Sequence, residues 1–293
     1  MRKIYALEAR GRGFVLGRKT WVMGILNLTP DSFSDGGAYR GPEEAAARGV
    51  EMIAEGADII DVGGESTRPG SRPVPEDEEL DRVVPAVRAL RERTDVLISV
   101  DTTKAAVARE ALAAGADVVN DVSALMSDPR MACVVATSGA PVVLMHMRGT
   151  PETMQSFPAY RDLFGEISAF LAERIEAAHA AGIAAERIII DPGIGFGKTA
   201  EDNLALIDGL GFLEALDRPV LTGVSRKGFI GKALGLPVGD RLEGSLAAGV
   251  LCVARGAHIL RVHDVRATRR AVDMADAILS RGAARPGEGG AAC

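Results

Sequence analysis

The sequence predicts an α/β fold, a (β/α)8 barrel of the TIM type with long loops after its first and second strands. Three observations carry the prediction. About eight short Val/Ile-rich runs stop near Asn27, Asp61, Asp101, Asn120, His146, Asp191, Ser225 and His263, and unalternating apolar runs suit parallel strands covered on both faces. Glu55-Gly56-Ala57-Asp58, Ala114-Gly115-Ala116-Asp117 and Arg255-Gly256-Ala257-His258 repeat one helix-to-strand punctuation, and Ala181-Gly182-Ile183 echoes it; glycine just past a helix end supplies the left-handed conformation such connections need. Polar residues gather at the C-terminal ends of the runs, where barrel enzymes place their chemistry.

The elements follow in order. After the run ending at Asn27, residues from Thr29 to Gly41 form a loop longer than the usual ~2–6 residues. A helix starts at Pro42-Glu43-Glu44-Ala45, with proline in the first turn and acids near the positive end of the dipole. A second long loop runs from Gly63 to about Glu76; long loops on the catalytic face of a barrel are commonly lids. The next helix, Asp77 to Arg93, begins acidic and ends basic, and Pro85 within it implies a kink or a later start. Asp162 to Ala181 and Val265 to Ser280 read as amphipathic helices. From Leu246 to Ala254 the segment Arg241–Arg255 has no polar side chain on any face. An outer helix needs one apolar stripe only, so the surplus is expected to be covered, by a homodimer partner or by the chain's own tail.

With 293 residues the chain is somewhat longer than a barrel of ~250. No linker interrupts the rhythm, so residues 1–280 are expected to form one domain, and the Gly/Ala/Pro-rich stretch 281–293 a disordered tail. Hydrophobic residues make up 47%, enough for a large core, and a formal charge of −6 argues against a nucleic-acid surface. No stretch is apolar enough to span a bilayer, and residues 1–14 carry Arg2, Lys3, Glu8, Arg10 and Arg12 rather than a signal-peptide core. Cys133 and Cys252 are expected to be buried thiols, in keeping with a cytoplasmic location.

Candidate chemistry lies at the strand ends. Asp191-Pro192-Gly193-Ile194-Gly195-Phe196-Gly197-Lys198-Thr199 follows the run Ile188–Ile190. Asp191 either ties down its own loop or accepts two N–H bonds from a flat heterocycle with a guanidine-like edge. Lys198-Thr199 faintly echoes a phosphate loop, but the G-x-x-x-x-G-K spacing is missing. Asp101 and Asn120 end neighbouring runs and with Asp191 would offer acceptors plus one amide, with few cations between. Four histidines, His146, His179, His258 and His263, show no zinc-ligand spacing. Arg261 and His263 are two apart and point to one side of their strand; together with Asn27 they suit an anion such as diphosphate. His146 reads equally as a core cap or a ligand.

In these motifs the chain resembles the dihydropteroate synthases of the pterin-binding barrel family. The resemblance extends from Met23 to Asp264 and rests on Asn27 to Gly37, Asp61 to Gly70, Ser99 to Thr102, Asn120-Asp121, His146 to Pro151, Asp191 to Gly193, Ser225 to Lys227, and Arg261 to Asp264. It implies that 6-hydroxymethyl-7,8-dihydropterin diphosphate and p-aminobenzoate give 7,8-dihydropteroate and diphosphate. By motif, Asp101, Asn120, Asp191 and Lys227 would hold the pterin, with Met145, Phe196 and Arg261 packed beside it. Asn27, Arg68, Arg261 and His263 would hold the diphosphate, with Mg²⁺ near Asn27. Thr67, Arg68, Pro69, Ser225 and Phe33 would shape the p-aminobenzoate pocket, where sulfonamides compete in this family. Asp35, with Asp101, Lys227, Arg261 and His263, would serve the chemistry, Asp35 steadying a cationic pterin methylene and Phe33 shielding it.

Such a reaction needs no covalent nucleophile. Charge developing on the leaving diphosphate calls for Arg, His and a metal, and charge on the methylene calls for carboxylates and exclusion of water. Three other readings stay open: an aldolase barrel forming a Schiff base at Lys227, a pterin-binding protein without catalysis, and a domain that binds a methylated folate for a corrinoid partner.

Overall fold

The computed structural model describes residues 2–29, 41–68, 70–154 and 160–281. An antiparallel hairpin comes first, β1 (Tyr5–Ala9) and β2 (Arg12–Leu16). Eight parallel strands follow: β3 (Trp21–Asn27), β4 (Ile59–Gly63), β5 (Leu97–Asp101), β6 (Val118–Asp121), β7 (Val142–Met145), β8 (Ile188–Asp191), β9 (Leu221–Thr222) and β10 (Ile259–Val262). They pair in the order β8-β7-β6-β5-β4-β3-β10-β9. A parallel bridge between Ile190 and Val220 brings β8 back to β9, with the Ile190 N–H donating to the Pro219 carbonyl at 3.0 Å. The result is a nearly closed barrel. β9 is short because Pro219, with no N–H of its own, precedes it and Gly223 follows it.

Helices lie between the strands: α1 (Pro42–Ala54), α2 (Glu76–Arg91), α3 (Ala105–Ala114), α4 (Met131–Ser138), α5 (Leu163–Ala180), α6 (Ala200–Asp208), α7 (Gly228–Leu234), α8 (Leu242–Ala254) and α9 (Val265–Arg281). α2 starts at Glu76 and runs through Pro85, so of the two expected outcomes the later start is not seen. The helix after Ala114 ends as the punctuation predicts: Gly115 has φ 119°.

Two separate apolar layers make the core. Val22, Ile60, Ile98, Val119, Leu144, Ile190 and Leu260 face outward against the helices. Their neighbours Met23, Ile59, Leu97, Val118, Val143, Ile189, Leu221 and Ile259 point inward and meet Leu7 and Leu16 of the hairpin. The hairpin thus plugs the N-terminal end of the barrel, a role not expected of residues 1–14. Cys252 is buried as expected, and burial pushes its thiol up to about 12. Cys133 is exposed, a correction: α4 turns Met131 and Val135 inward, and Cys133, two residues from each, falls on another face. Of the expected tail, 281–293, Arg281 instead ends α9, and residues 282–293 lie outside the described residues.

Candidate active site

Strand periodicity builds the site. Side chains two apart share a face, so two residues beyond the interior apolar layer come Asp61, Ser99, Asn120, Met145, Asp191 and Arg261. Asp101 stands one further step along β5. All the strands run the same way, so these groups meet at the C-terminal mouth.

Arg261 organises them. Its Nε donates to Asp61 Oδ2 at 2.6 Å and its Nη2 to Asp101 Oδ2 at 2.6 Å. Asn120 Nδ2 donates to Asp61 Oδ2 at 3.1 Å. The expectation of few cations among the acceptors is therefore corrected: a guanidinium sits between two of the carboxylates. A buried charge has to be paired. Burial works against the Arg261 charge, but Asp61 and Asp101 outweigh it and raise its pKa. Burial pushes the Asp101 carboxyl up, against the pull of Arg261. Among the described residues, Asp61 Oδ1, Asp101 Oδ1 and Ser99 Oγ have no hydrogen-bond partner. The mouth thus holds desolvated oxygens suited to N–H donors.

Asp191 stands opposite. Its Oδ1 accepts the Gly193 N–H at 2.7 Å, and burial raises its pKa against the pull of Lys227. The positive φ of Gly193, 68°, and the close approach of the His146 carbonyl, 1.9 Å from where a Cβ would stand, explain the glycine after Pro192. Lys227 donates to the Ile194 carbonyl and lies 4.3 Å from the centre of the Phe196 ring. Burial lowers its pKa to about 8, although Asp191 holds it up. Lys198 faces no phosphate site. It is buried and donates to the carbonyls of Gly193 (2.9 Å) and Phe196 (3.1 Å), with His146 Nδ1 3.0 Å away. Thr199 caps α6 in a capping box with Asp202. The phosphate-loop echo is thus a structural strut and a helix cap. His146 takes the core role, edge-on to Phe170 at 4.9 Å.

A second group lies at the ends of β9 and β10. Arg226 pairs with both oxygens of Asp264, at 2.9 and 2.6 Å, tying the two loops together. Ser225 Oγ thereby sits 3.1 Å from His263 Nδ1. Burial first, then Arg261 and Arg226, lowers the His263 pKa to about 4, so the ring is neutral at pH 7. Asn27 ends β3 beside Gly63, where a Cβ would be 3.7 Å from Asn27 Oδ1 and 3.5 Å from Asp101 Cβ. Thr67 is half-buried and Arg68 exposed on the loop after β4. That loop reaches the loop after β7, with the Gly70 N–H donating to the Pro151 carbonyl at 3.0 Å. Phe33, Asp35 and Pro69 lie outside the described residues.

The barrel therefore gathers Asp101, Asn120, Met145, Asp191, Phe196, Lys227 and Arg261 around one mouth, and Ser225 with His263 at a second station. Asp61 ends an apolar run in the sequence without a site role assigned to it there. The period-two step that pairs Arg261 with His263 also takes Ile59 to Asp61, and that signal was enough to find it.

Fold and site together define a (β/α)8-barrel protein whose mouth presents desolvated oxygens to a ligand rich in N–H donors. Comparison with known proteins narrows this. Residues 23–263 match the family model described as "Pterin binding enzyme". The chain is 48% identical over 266 residues to the dihydropteroate synthase of Synechocystis, covering 90% of this chain and 92% of that one. Its fold matches the Yersinia pestis dihydropteroate synthase solved with a sulfonamide drug complex, with TM-score 0.89, 46% identity and coverage of 94% and 99%. It likewise matches the Xanthomonas albilineans dihydropteroate synthase solved with 4-aminobenzoic acid, with TM-score 0.87, 46% identity and coverage of 97% and 100%. The chain belongs to the pterin-binding enzyme family.

Proposed function

We propose that this chain is a dihydropteroate synthase, a transferase that joins 6-hydroxymethyl-7,8-dihydropterin diphosphate to p-aminobenzoate, forming 7,8-dihydropteroate and releasing diphosphate. The observation that carries the reading is the desolvated ring of Asp61, Asp101, Asn120 and Asp191 around Arg261 at the barrel mouth. The pterin's amino group and ring N–H form a guanidine-like edge that a carboxylate matches in bidentate fashion, and Asp191 is that carboxylate. Asn120 adds an amide that both donates and accepts. The Lys227 ammonium has three donors, so it can keep the Ile194 carbonyl and still serve a ring acceptor. Met145 and Phe196 supply apolar contact to the ring.

In the reaction the methylene C–O bond to diphosphate breaks and a C–N bond to the aromatic amine forms. Asn27, Arg68, Arg261 and His263 are assigned to receiving the leaving group. Asp61 and Asp101 together outnumber the Arg261 guanidinium that pairs them, and an excess of carboxylates at the mouth would favour a methylene cation and a dissociative order of events. Asp35 and Phe33 are assigned to steadying and shielding that cation. Thr67, Arg68, Pro69 and Ser225 are assigned to the p-aminobenzoate pocket, where a sulfonamide is expected to compete.

No group of three or more His, Cys, Asp or Glu suited to holding a metal ion occurs among the described residues. Among the described residues, then, the protein alone does not build a resident site. Mg²⁺ keeps most of its waters and commonly takes one or two protein ligands plus substrate phosphates, which fits the single Asn27 amide oxygen at the mouth. Bound there with the substrate, Mg²⁺ would neutralise charge on the leaving diphosphate.

A homodimer is also proposed, through α8. Leu251 on α8 is 51% exposed, and Met274 and Ile278 of the adjoining α9 are 63% and 59% exposed. No described helix is long and apolar enough to cross a membrane, and the free thiol of exposed Cys133 is in keeping with a cytoplasmic setting.

The decisive experiment incubates the protein with the pterin diphosphate, with and without p-aminobenzoate, and measures diphosphate. Release that depends on the amine is expected. No release with both substrates present would sink the proposal, and a borohydride-trapped adduct on Lys227 would point to the Schiff-base reading instead. A slow release without amine supports the dissociative order; its absence in a protein that turns over both substrates argues for concerted attack.

A further inference from the structure

We propose that Lys104 is a positioning residue that latches the loop between β4 and α2 by tying the loop carboxylate Glu65 to the helix carboxylate Glu79. The inference rests on the functional reading above, in which this loop brings Thr67 and Arg68 to the amine and the diphosphate.

Lys104 stands between β5 and α3. Its ammonium donates to Glu65 Oε2 at 2.5 Å and also to Glu79 Oε2. The same Glu65 oxygen accepts the Val74 N–H at 2.9 Å. One carboxylate oxygen therefore closes the loop on itself and fixes that closure to the barrel through Lys104. Glu79 lies on α2 and is 1% exposed. As a buried acid on a helix, it already balances the Lys104 charge. A second carboxylate is not needed to bury the ammonium and leaves the cluster with a net negative charge, so the Glu65 bond acts on the loop. The neighbouring anchors lie to either side of Ser66, Thr67 and Arg68: Arg82 Nη1 donates to the Gly64 carbonyl at 2.7 Å, and Gly70 bonds Pro151. Ser71 Oγ, which donates to the Ser66 and Arg68 carbonyls at 2.5 and 2.7 Å, closes the loop on itself, and Glu65, adjacent to Ser66, carries the side-chain tie from that stretch to Lys104. Glu65, Lys104 and Thr67 also line one cavity of about 290 Å³ that reaches Met145 on the pterin side. A shift of the latch would move the loop face of that cavity and leave Asp191 and Asn120, on β8 and β6, in place.

Glu65→Ala removes the loop side of the latch and keeps the buried Lys104–Glu79 pair; Lys104→Met removes the latch itself. Two measurements test the idea. The first compares kcat/KM for p-aminobenzoate with the Kd of a diphosphate-free 6-hydroxymethylpterin measured by calorimetry. Each variant is expected to lose roughly 10- to 100-fold in kcat/KM, with the pterin Kd within about twofold of wild type, and the double variant is expected to be no worse than the poorer single one. Pterin affinity falling in parallel with kcat/KM, wild-type kinetics in Glu65→Ala, or additive losses would overturn the proposal. The second measurement needs no catalysis: hydrogen exchange of the Val74 amide should quicken by about tenfold or more in both variants, and unchanged exchange in Lys104→Met would overturn the latch. A wild-type protein that releases no diphosphate with both substrates would instead count against the functional reading, leaving the exchange result to decide the latch.

Discussion

The two halves of the barrel interior are built on the same strands and buried to a similar degree, yet they hold opposite chemistry. In the lower half Met23, Ile59, Leu97, Val118, Val143, Ile189, Leu221 and Ile259 close on Leu7 and Leu16, each 1% exposed or less. Two residues up, Asp61, Asn120, Asp191 and Arg261 replace them, and buried oxygens of Asp61, Asp101 and Ser99 lack partners. An apolar plug gains stability from burial. Buried carboxylates are destabilising unless paired, and here they are paired incompletely. Stability is thus concentrated below and recognition above, which is the usual trade-off between a strong core and a strained site.

The largest effect that follows is at the top. Asp191→Asn keeps the shape of the side chain but replaces a charge-assisted bidentate acceptor by an amide that matches only half of a guanidine-like edge. Sites built to hydrogen-bond one partner discriminate steeply, so kcat/KM is expected to fall by about 10³-fold or more. The melting temperature should change little, because relief of a buried carboxyl that burial drives toward its neutral form offsets the loss of its pull on Lys227. Kinetics and calorimetry on one preparation check both halves. A variant that melts earlier and binds pterin normally would erase the division between the halves.

Leu16→Ala asks the converse question below. Leu16 is fully buried in the hairpin plug, and large-to-small core substitutions cost about 2–5 kcal/mol. Urea unfolding should show that loss, while kcat stays within about twofold of wild type, since no group in the mouth is touched. A large drop in kcat at full folding would mean that the plug also sets the positions of the strand ends above it.

The upper half was the more legible in the sequence. Asp101, Asn120 and Asp191 stand at strand ends, where a run of apolar residues that stops at a polar one is a local signal, and Arg261 stands out as a charge inside the apolar run Ile259–Val262. Their mutual arrangement was not local: Arg261 reaches Asp61 across 200 residues of chain, and only closure of the ring brings them together. The lower plug was hidden for a different reason. Its hairpin turns at Arg10 and Gly11, both with positive φ (50° and 67°); arginine there lacks the Asn-Gly or Asp-Gly signature of a tight hairpin turn. The inward Leu7, Ala9 and Leu16 are interleaved with Glu8, Arg10 and Arg12, so the stretch read as a polar N-terminus. Lys198 shows the limit of a short string: Gly-Lys-Thr faintly echoes a phosphate loop, its spacing already argues against one, and only burial among carbonyls defines what it does here.

A finer distinction between the halves concerns two histidines. His258 below and His263 above are both pushed down to about 4, chiefly by burial. His258 Nδ1 accepts the Val220 N–H at 3.1 Å, and its Nε2 lies 3.0 Å from the Lys3 carbonyl, an arrangement only the neutral ring satisfies. Because the folded pKa lies below the unfolded value of ~6.5, the unfolded chain binds the extra proton first. The stabilising contribution is complete above pH ~6.5 and is lost as pH falls toward 4. Buried carboxyls such as Asp101 and Asp191, whose pKa values are raised, oppose this trend, so wild type alone is uninformative. The difference between wild type and His258→Gln removes them, since both proteins share them. That difference in unfolding free energy should shrink by roughly 1–2 kcal/mol between pH 7 and pH 5. His263→Gln should behave alike in plain buffer. Added diphosphate should abolish the effect for His263, because an anion beside the ring favours its protonated form, and leave His258 unchanged. If diphosphate shifts both histidines or neither, the anion does not bind at the end of β10, and the chemistry of the upper half would have to be reassigned around the carboxylate ring alone.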